Sequence, residues 1–250
     1  MTVKTHELYS SPPYAIRGTM NLDNAIPSPH TNMAELEAFC VEANQSGRLQ
    51  IVARKDTVSD ICAIKIPEIT RGTFKQISGR IIRPLMRAAM EVPVQKSGDP
   101  ENTHIVLSMR AGIAFQAVSE IFYPEASSGQ VPQTRSEELV EGEDQPRIVC
   151  NFDKLGQIAG KNVIICDPML ATGSSMLAIV SEVARRCPSS ITTMSAFTAP
   201  QGLATVLGHP AVDYHITPPL EAGLNENFYI VGVDGLMLGD FGDRYCGQPN

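Results

Sequence analysis

Long apolar runs are missing from this sequence of 250 residues. The longest uninterrupted apolar stretches cover only a few positions, where a bilayer-crossing helix needs about 20, so no membrane partner is expected. The first stretch mixes Lys4, His6, Glu7 and Arg17 with prolines and has no apolar core, which argues against a secretory leader. Positive charge is also scarce: 20 Lys and Arg stand against 27 Asp and Glu, for a formal net charge of −7. A nucleic-acid surface needs clustered basic side chains to displace counterions, so no nucleic-acid partner is expected. The six cysteines, Cys40, Cys62, Cys150, Cys166, Cys187 and Cys246, form no Cys-x-x-Cys pair, and no His lies at zinc-finger spacing. They read as reduced thiols of a cytoplasmic protein. There is no internal repeat and no low-complexity tract. What remains, 43% hydrophobic and 19% charged residues, is a chain able to bury one α/β core.

Pro12, Pro13, Pro27 and Pro29 lie among polar residues, a composition that favours extended chain, and residues 1–32 are read as a flexible extension. Asn32 is placed to cap a helix with Glu35, and Leu36, Phe39 and Cys40 follow at helical spacing. This predicts a short helix over 33–44 within an N-terminal helix and strand region, 33–67. A main domain is expected from 68 to 250. Phe74, Ile77, Ile81, Ile82, Leu85 and Met86 form an apolar stripe that predicts a helix over 70–91, kinked or broken at Pro84.

From His104 onward, short β-rich runs alternate with glycine turns and helical stretches, the pattern of a mostly parallel, doubly wound sheet. One unit runs from a strand at 105–107 through the turn Arg110-Ala111-Gly112 to a helix ending near Ile121. The next runs from a strand at 163–166 through 167–175 to a helix ending near Arg186, and a third strand is expected at 191–197. Residues 123–161, rich in Gly, Pro, Ser and Glu, show little periodicity and are expected to form an irregular lid or arm.

The most informative stretch is Asp167-Pro168-Met169-Leu170-Ala171-Thr172-Gly173-Ser174-Ser175. A buried strand ends in an acidic residue, turns through Gly173 and enters a helix, at the strand end where open α/β sheets bind ligands. Gly173 permits close approach of backbone to ligand. The hydroxyls of Thr172, Ser174 and Ser175 and the free N–H groups of the helix start converge as donors for one phosphate. The loop is neither a nucleotide-triphosphatase loop nor a dinucleotide fingerprint. An ordinary strand–turn–helix junction with Asp167 as a cap is the bland alternative. His104, His209 and His215 have no partner spacing and read as structural. Ser174 and Ser175 lack a His-Asp arrangement for nucleophilic chemistry, and Asp243 and Arg244 could pair with each other.

The run Asp167 to Gly173 resembles the PRPP-binding signature of the uracil phosphoribosyltransferase family. Met109-Arg110-Ala111-Gly112 is similar to that family's Leu-Arg-Ala-Gly loop, and Arg135-Ser136-Glu137-Glu138 to its Arg-x-Glu-Glu stretch. Leu224-Asn225-Glu226 and the run from Gly239 to Tyr245 extend the likeness over residues 68–250. The resemblance implies a type I phosphoribosyltransferase fold with a small hood and a β-arm, magnesium with PRPP as co-substrate, and transfer to uracil or a related base with release of pyrophosphate. It further implies a homodimer or higher homo-oligomer in which the 123–161 region embraces its partner.

Carried over by position, the likeness implies that Arg110, Ala111, Gly112 and Arg135 hold pyrophosphate. Asp167 meets the ribose hydroxyls, and Met169 to Ser175 (Met169, Leu170, Ala171, Thr172, Gly173, Ser174 and Ser175) cradle the 5′-phosphate. Tyr229, Ile230, Val231 and Gly239 read the base, and Asp240 places the metal; Asp240, Arg110 and Arg135 are the catalytic candidates. Three departures are visible. Ser174 replaces a second glycine, Thr134 replaces a tyrosine, and the base loop from Phe228 to Asp240 is longer than the family's, with Phe228 for its first glycine and no proline. These changes leave room for two rivals: transfer to a different acceptor in a specialised pathway, or a PRPP- or nucleotide-binding regulator without turnover.

Overall fold

The computed structural model describes residues 33–92, 100–135 and 148–247. The expected extension 1–32, with the Asn32 cap, lies outside the described residues, as do Glu137 and Glu138. The helices are α1 (Met33–Gln45), α2 (Lys55–Ile64), α3 (Arg71–Ala89), α4 (Ile113–Phe122), α5 (Ser174–Arg185), α6 (Pro200–Leu207) and α7 (Phe241–Cys246). The strands are β1 (Leu49–Ile51), β2 (Thr103–Met109), β3 (Ser127–Arg135), β4 (Ile148–Cys150), β5 (Asn162–Cys166), β6 (Met169–Leu170), β7 (Ser190–Met194), β8 (Phe197–Thr198), β9 (Tyr214–Thr217), β10 (Gly223–Leu224) and β11 (Ile230–Val231).

Seven strands form one sheet in the order β1-β9-β7-β5-β2-β3-β4. All neighbours are parallel except β4, which runs antiparallel to β3. Alternate residues of the central strands enter opposite cores, because successive side chains of a strand point to opposite faces. Ile105, Leu107, Ile164, Cys166 and Met194 pack with α2, α3 and α4 on one side. Val106, Val163, Ile165 and Ile191 pack with α5 and α6 on the other. With both faces covered, the central strands read as continuous apolar runs, and the sheet is doubly wound as expected.

Several local expectations need correction. Helix α3 starts where anticipated, with the Thr70 side chain accepting from Thr73 N–H at 3.2 Å, but it runs unbroken through Pro84. Ile81, Ile82, Leu85 and Met86 are fully buried around that proline, and this packing outweighs the hydrogen bond that proline cannot donate. The described parts of the 123–161 region, 123–135 and 148–161, are more regular than their composition suggests. Gly129 and Pro132 hide strand β3, yet Gly129 is required because a Cβ there would collide with Leu155 O. Pro132 sits where its carbonyl is still used, accepting from Asn151 N–H at 2.9 Å. The strand expected at 191–197 is two strands, β7 and β8, and α2, α6 and β9 were not anticipated.

The three histidines are structural. His104 is bonded to Ser127 Oγ and Leu155 O, each at 2.8 Å. Burial pushes the pKa of His215 down to about 3, so it is a neutral core group between Thr193 and Ser195. His209 Nδ1 accepts from Ala211 N–H. No described helix is long and apolar enough to cross a membrane.

Candidate active site

Strand β5 is five buried residues long, and the chain leaves its C-terminal end at Asp167. The Asp167 side chain is nearly buried, at 8% exposure. Oδ2 accepts from Ser108 Oγ at 2.6 Å and Oδ1 from Met169 N–H at 3.2 Å. Ser108 is held in turn by Gln133 Nε2 at 2.7 Å. Burial raises the Asp167 pKa to about 6, with the Ser108 and Met169 hydrogen bonds opposing the rise. Sequence reasoning missed Ser108 and Gln133. They come from β2 and β3, and nothing in their local pattern announces a contact with β5.

Beyond Asp167, Met169 and Leu170 form β6 beside β8, and Ala199 N–H ties the loop down at Leu170 O, 2.9 Å away. Gly173 then takes φ +86° and opens α5. A Cβ at Gly173 would lie 2.9 Å from Thr205 Cβ and 3.0 Å from Gly202 O, so glycine is required for conformation and for space. Ser174, the departure from the family string, is already the first residue of α5. It needs no left-handed backbone, and its hydroxyl lies 3.1 Å from that of Thr172. Ser174 N–H is turned to Thr172 Oγ1 at 3.4 Å, and the N–H groups that follow it in the first turn of α5 are the ones a helix start leaves open to an anion.

Across the sheet end, β2 runs out into the turn Arg110-Ala111-Gly112. Gly112 is required there too, because a Cβ would lie 2.7 Å from Ser108 N. Its own N–H is already donated to Ser108 O at 2.7 Å; Ala111 N–H makes no such bond. The Arg110 guanidinium pairs with Asp243 and donates to Gly247 O at 3.2 Å. The ion pair is partly exposed, 43% on one side and 34% on the other, and such pairs are worth about 1 kcal/mol or less, so an arriving anion can displace it. The Asp243–Arg244 pairing considered from sequence is not formed. Arg244 donates instead to Leu238 O and Ile66 O, with its guanidinium over the Phe74 ring. Arg135 ends β3 opposite Ile148; its side chain lies outside what the structure describes.

The third wall is the loop from Asn225 to Asp240. The Asn225 side chain accepts from Asn227 N–H at 3.0 Å and Tyr229 N–H at 2.9 Å, closing a tight turn. Phe228 in that turn has φ +61°, a left-handed conformation that side chains adopt at an energetic cost and glycine does not resist. Tyr229 follows at 46% exposure, and Ile230 is buried. Asp240 caps α7, its Oδ1 accepting from Asp243 N–H at 2.8 Å; its other carboxylate oxygen has no protein partner among the described residues.

These walls enclose one continuous cleft. One lobe is lined by Met169 to Ser175 together with Tyr229, Ile230, Gly239 and Asp240. The other is lined by Arg110, Ala111, Asp167 and Gln133, and it shares Ile148, Met169, Ser175, Asp240 and Phe241 with the first. Of the residues given a catalytic, PRPP, base or metal role from sequence, Gly112 and Val231 stand back from the cleft lining, and the Arg135 side chain lies outside what the structure describes. Ile148, Phe228 and Phe241 line it without having been anticipated as contacts. The arrangement offers a phosphate cradle at one end, a cationic turn at the other, a buried carboxyl between them, and a half-apolar slot against the cradle.

A family model described as uracil phosphoribosyltransferase matches residues 86–247. The uracil phosphoribosyltransferase of Streptococcus mutans is 31% identical over 206 residues, which cover 80% of this chain and 92% of that protein. That of Pediococcus pentosaceus is 30% identical over 199 residues, covering 77% of this chain and 85% of the other. Among solved structures, the AQ2163 protein from Aquifex aeolicus superposes with a TM-score of 0.68 at 22% identity, covering 80% of this chain and 98% of that one; this likeness concerns the fold. With the family's sequence signature spread over most of its length and its signature loops gathered around one cleft, the chain belongs to the uracil phosphoribosyltransferase family.

Proposed function

We propose that the protein transfers the 5-phosphoribosyl group of PRPP to a ring nitrogen of uracil, giving UMP and pyrophosphate. The observation that carries this reading is the single cleft that joins the Thr172–Ser175 cradle, Asp167, the Arg110 turn and the Tyr229–Asp240 loop. In the reaction the bond from the sugar C1 to pyrophosphate breaks, the bond from C1 to the base nitrogen forms, and the proton of that nitrogen is lost. Charge leaves with pyrophosphate while the sugar gains oxocarbenium character, so the protein contributes mainly by positioning and electrostatic stabilisation.

Each group then has a task. The α5 amides and the hydroxyls of Thr172, Ser174 and Ser175 hold the 5′-phosphate. Asp167, once ionised, accepts from the ribose hydroxyls. Arg110, on leaving Asp243, meets the pyrophosphate with Ala111 N–H and with Arg135. The backbone about Tyr229, Ile230 and Gly239 reads the base edge. The donor set suits magnesium carried by the phosphates: no group of three or more His, Cys, Asp or Glu is gathered among the described residues, and magnesium commonly takes one or two carboxylates plus phosphate and water. Asp240, with a carboxylate oxygen free on the cleft, is the protein ligand offered, and the ion when bound supplies positive charge against the leaving group. The working form is taken to be a cytoplasmic homodimer or higher homo-oligomer, a reading supported by the resemblance and by the β3–β4 hairpin, which continues beyond the pairing of β3 with β2.

Transfer to another heterocycle is the second reading, favoured by the lengthened loop and by Phe228 at φ +61°. The test is pyrophosphate release by the purified protein with PRPP and magnesium, with and without uracil, followed by mass analysis of the nucleotide. Uracil-dependent release with UMP as product is expected, and chelation of magnesium should abolish it. Release that requires a different base would replace uracil with that base, and PRPP binding without release under any base would leave a regulator.

A further inference from the structure

Among the described residues, one ion pair has both side chains shut away from solvent, and it lies outside the cleft. Lys65 follows directly on α2 and is 2% exposed; its Nζ is 2.9 Å from Oε2 of Glu221, itself 3% exposed. The same Nζ lies 3.4 Å from Oδ1 of Asp234, which is 25% exposed. Taking two such ions out of water costs several kcal/mol for each, and an apolar pair of similar size often serves stability equally well. The second Glu221 oxygen, Oε1, has no hydrogen-bond partner of ordinary geometry among the described residues. Stability alone therefore gives little reason for charges here.

Their positions supply one. Glu221 is fixed to the body by its N–H, which donates to Thr198 O at 3.0 Å, and it leads into β10, the partner of β11. Asp234 stands at the tip of a small hairpin formed by the extra residues of the base loop. Val231 bridges Met237, Gly232 N–H donates to Leu236 O at 2.8 Å, Gly235 turns at φ +79°, and Asp234 Oδ1 accepts from Leu236 N–H at 3.1 Å. The two limbs of the hairpin run directly into the cleft, Tyr229 and Ile230 from one and Gly239 and Asp240 from the other. Val233, Leu236 and Met237 are about half exposed or more, so apolar packing does not hold the tip in place.

We infer that Lys65 is a positioning residue for base recognition: anchored on Glu221, it draws in the Asp234 tip and so sets the spacing of the two limbs that read the base. The inference rests on the reading of this cleft as the base site. Two variants test it. Lys65→Met with Glu221→Met replaces the buried pair by apolar chains and leaves no orphaned charge, whereas Lys65→Met alone would strand a buried carboxylate and endanger the fold. Asp234→Asn keeps the oxygen that caps the turn and removes only the charge that faces Lys65.

The readouts are KM for uracil, KM for PRPP and amide hydrogen exchange of the substrate-free protein. In both variants the expected result is a KM for uracil raised about tenfold, an unchanged KM for PRPP, and faster exchange confined to 231–238. Both KM values rising together, or faster exchange throughout the sheet, would show a merely structural pair and overturn the inference; so would variants indistinguishable from the parent. Should the parent protein transfer nothing to uracil, the functional reading fails separately, and the exchange pattern of the two variants still decides whether Lys65 pins the hairpin.

Discussion

Asp167 shows how one buried carboxyl links ligand binding to pH. Burial holds it at about 6 against the usual 3.8, so it binds its proton more tightly in the folded protein than in the unfolded chain. Such a group contributes stability that is fully present below pH 3.8 and is lost as pH rises through 6. Asp167→Asn removes the titration, so in urea melts the variant should match the parent near pH 4 and exceed it at pH 8 by roughly 1–3 kcal/mol. The gain has a functional counterpart, since the ionised carboxylate is the acceptor proposed for the ribose hydroxyls. Calorimetric PRPP affinity of the parent should fall below pH 6, whereas the Asn variant should fall less steeply, keeping only the dependence that comes from the phosphates of PRPP, whose second pKa is about 6, and should be weaker by about tenfold above neutrality.

At the scale of the element, the strand–turn–helix from β5 to α5 separates two glycine-like positions that look equivalent in sequence. Gly173 carries the left-handed backbone and lies against Thr205. Gly173→Ala is accordingly expected to destabilise the protein by about 2 kcal/mol in thermal or denaturant melts, and to weaken PRPP binding. Ser174 is helical, so Ser174→Gly relieves no strain and removes one hydroxyl from the proposed phosphate contacts; PRPP affinity should fall about tenfold, at some loss of helix stability. A large gain in affinity from that change would mean that the serine does disturb the cradle. Helix α3 teaches a related lesson about Pro84: proline is disfavoured in a helix interior, yet a fully buried apolar stripe keeps the helix whole across it.

At the scale of the whole molecule, β3 outruns its parallel partner β2 and turns back as an antiparallel arm with β4, which presents Val149 at 53% exposure. Sedimentation of the purified protein should give twice the mass of one chain or a higher multiple, and a monomer at assay concentration would remove the dimer from the proposal. The parallel sheet with helices on both faces was legible because central strands such as Val163–Cys166 are buried on both sides and read as unbroken apolar runs. The turn at Asp167–Ser175 was legible because its residues are contiguous in the chain, so that Asp167, Thr172, Gly173 and the start of α5 declare one another locally. Strand β3 was hidden by Gly129 and Pro132, whose places depend on Leu155 and Asn151, distant in the chain. The Ser108 and Gln133 relay to Asp167, the engagement of Arg110 with Asp243, and the Lys65–Glu221 anchor beneath the base loop join residues far apart in sequence. Sequence by itself determined the family, the sheet and the strand–turn–helix at Asp167–Ser175, because those depend on local periodicity and on a short contiguous string. Only the tertiary structure decided how the acid is held, which ion pairs form and how the base loop is braced, because hydrogen bonds and buried charges depend on ångström-scale distances between segments that no local pattern connects.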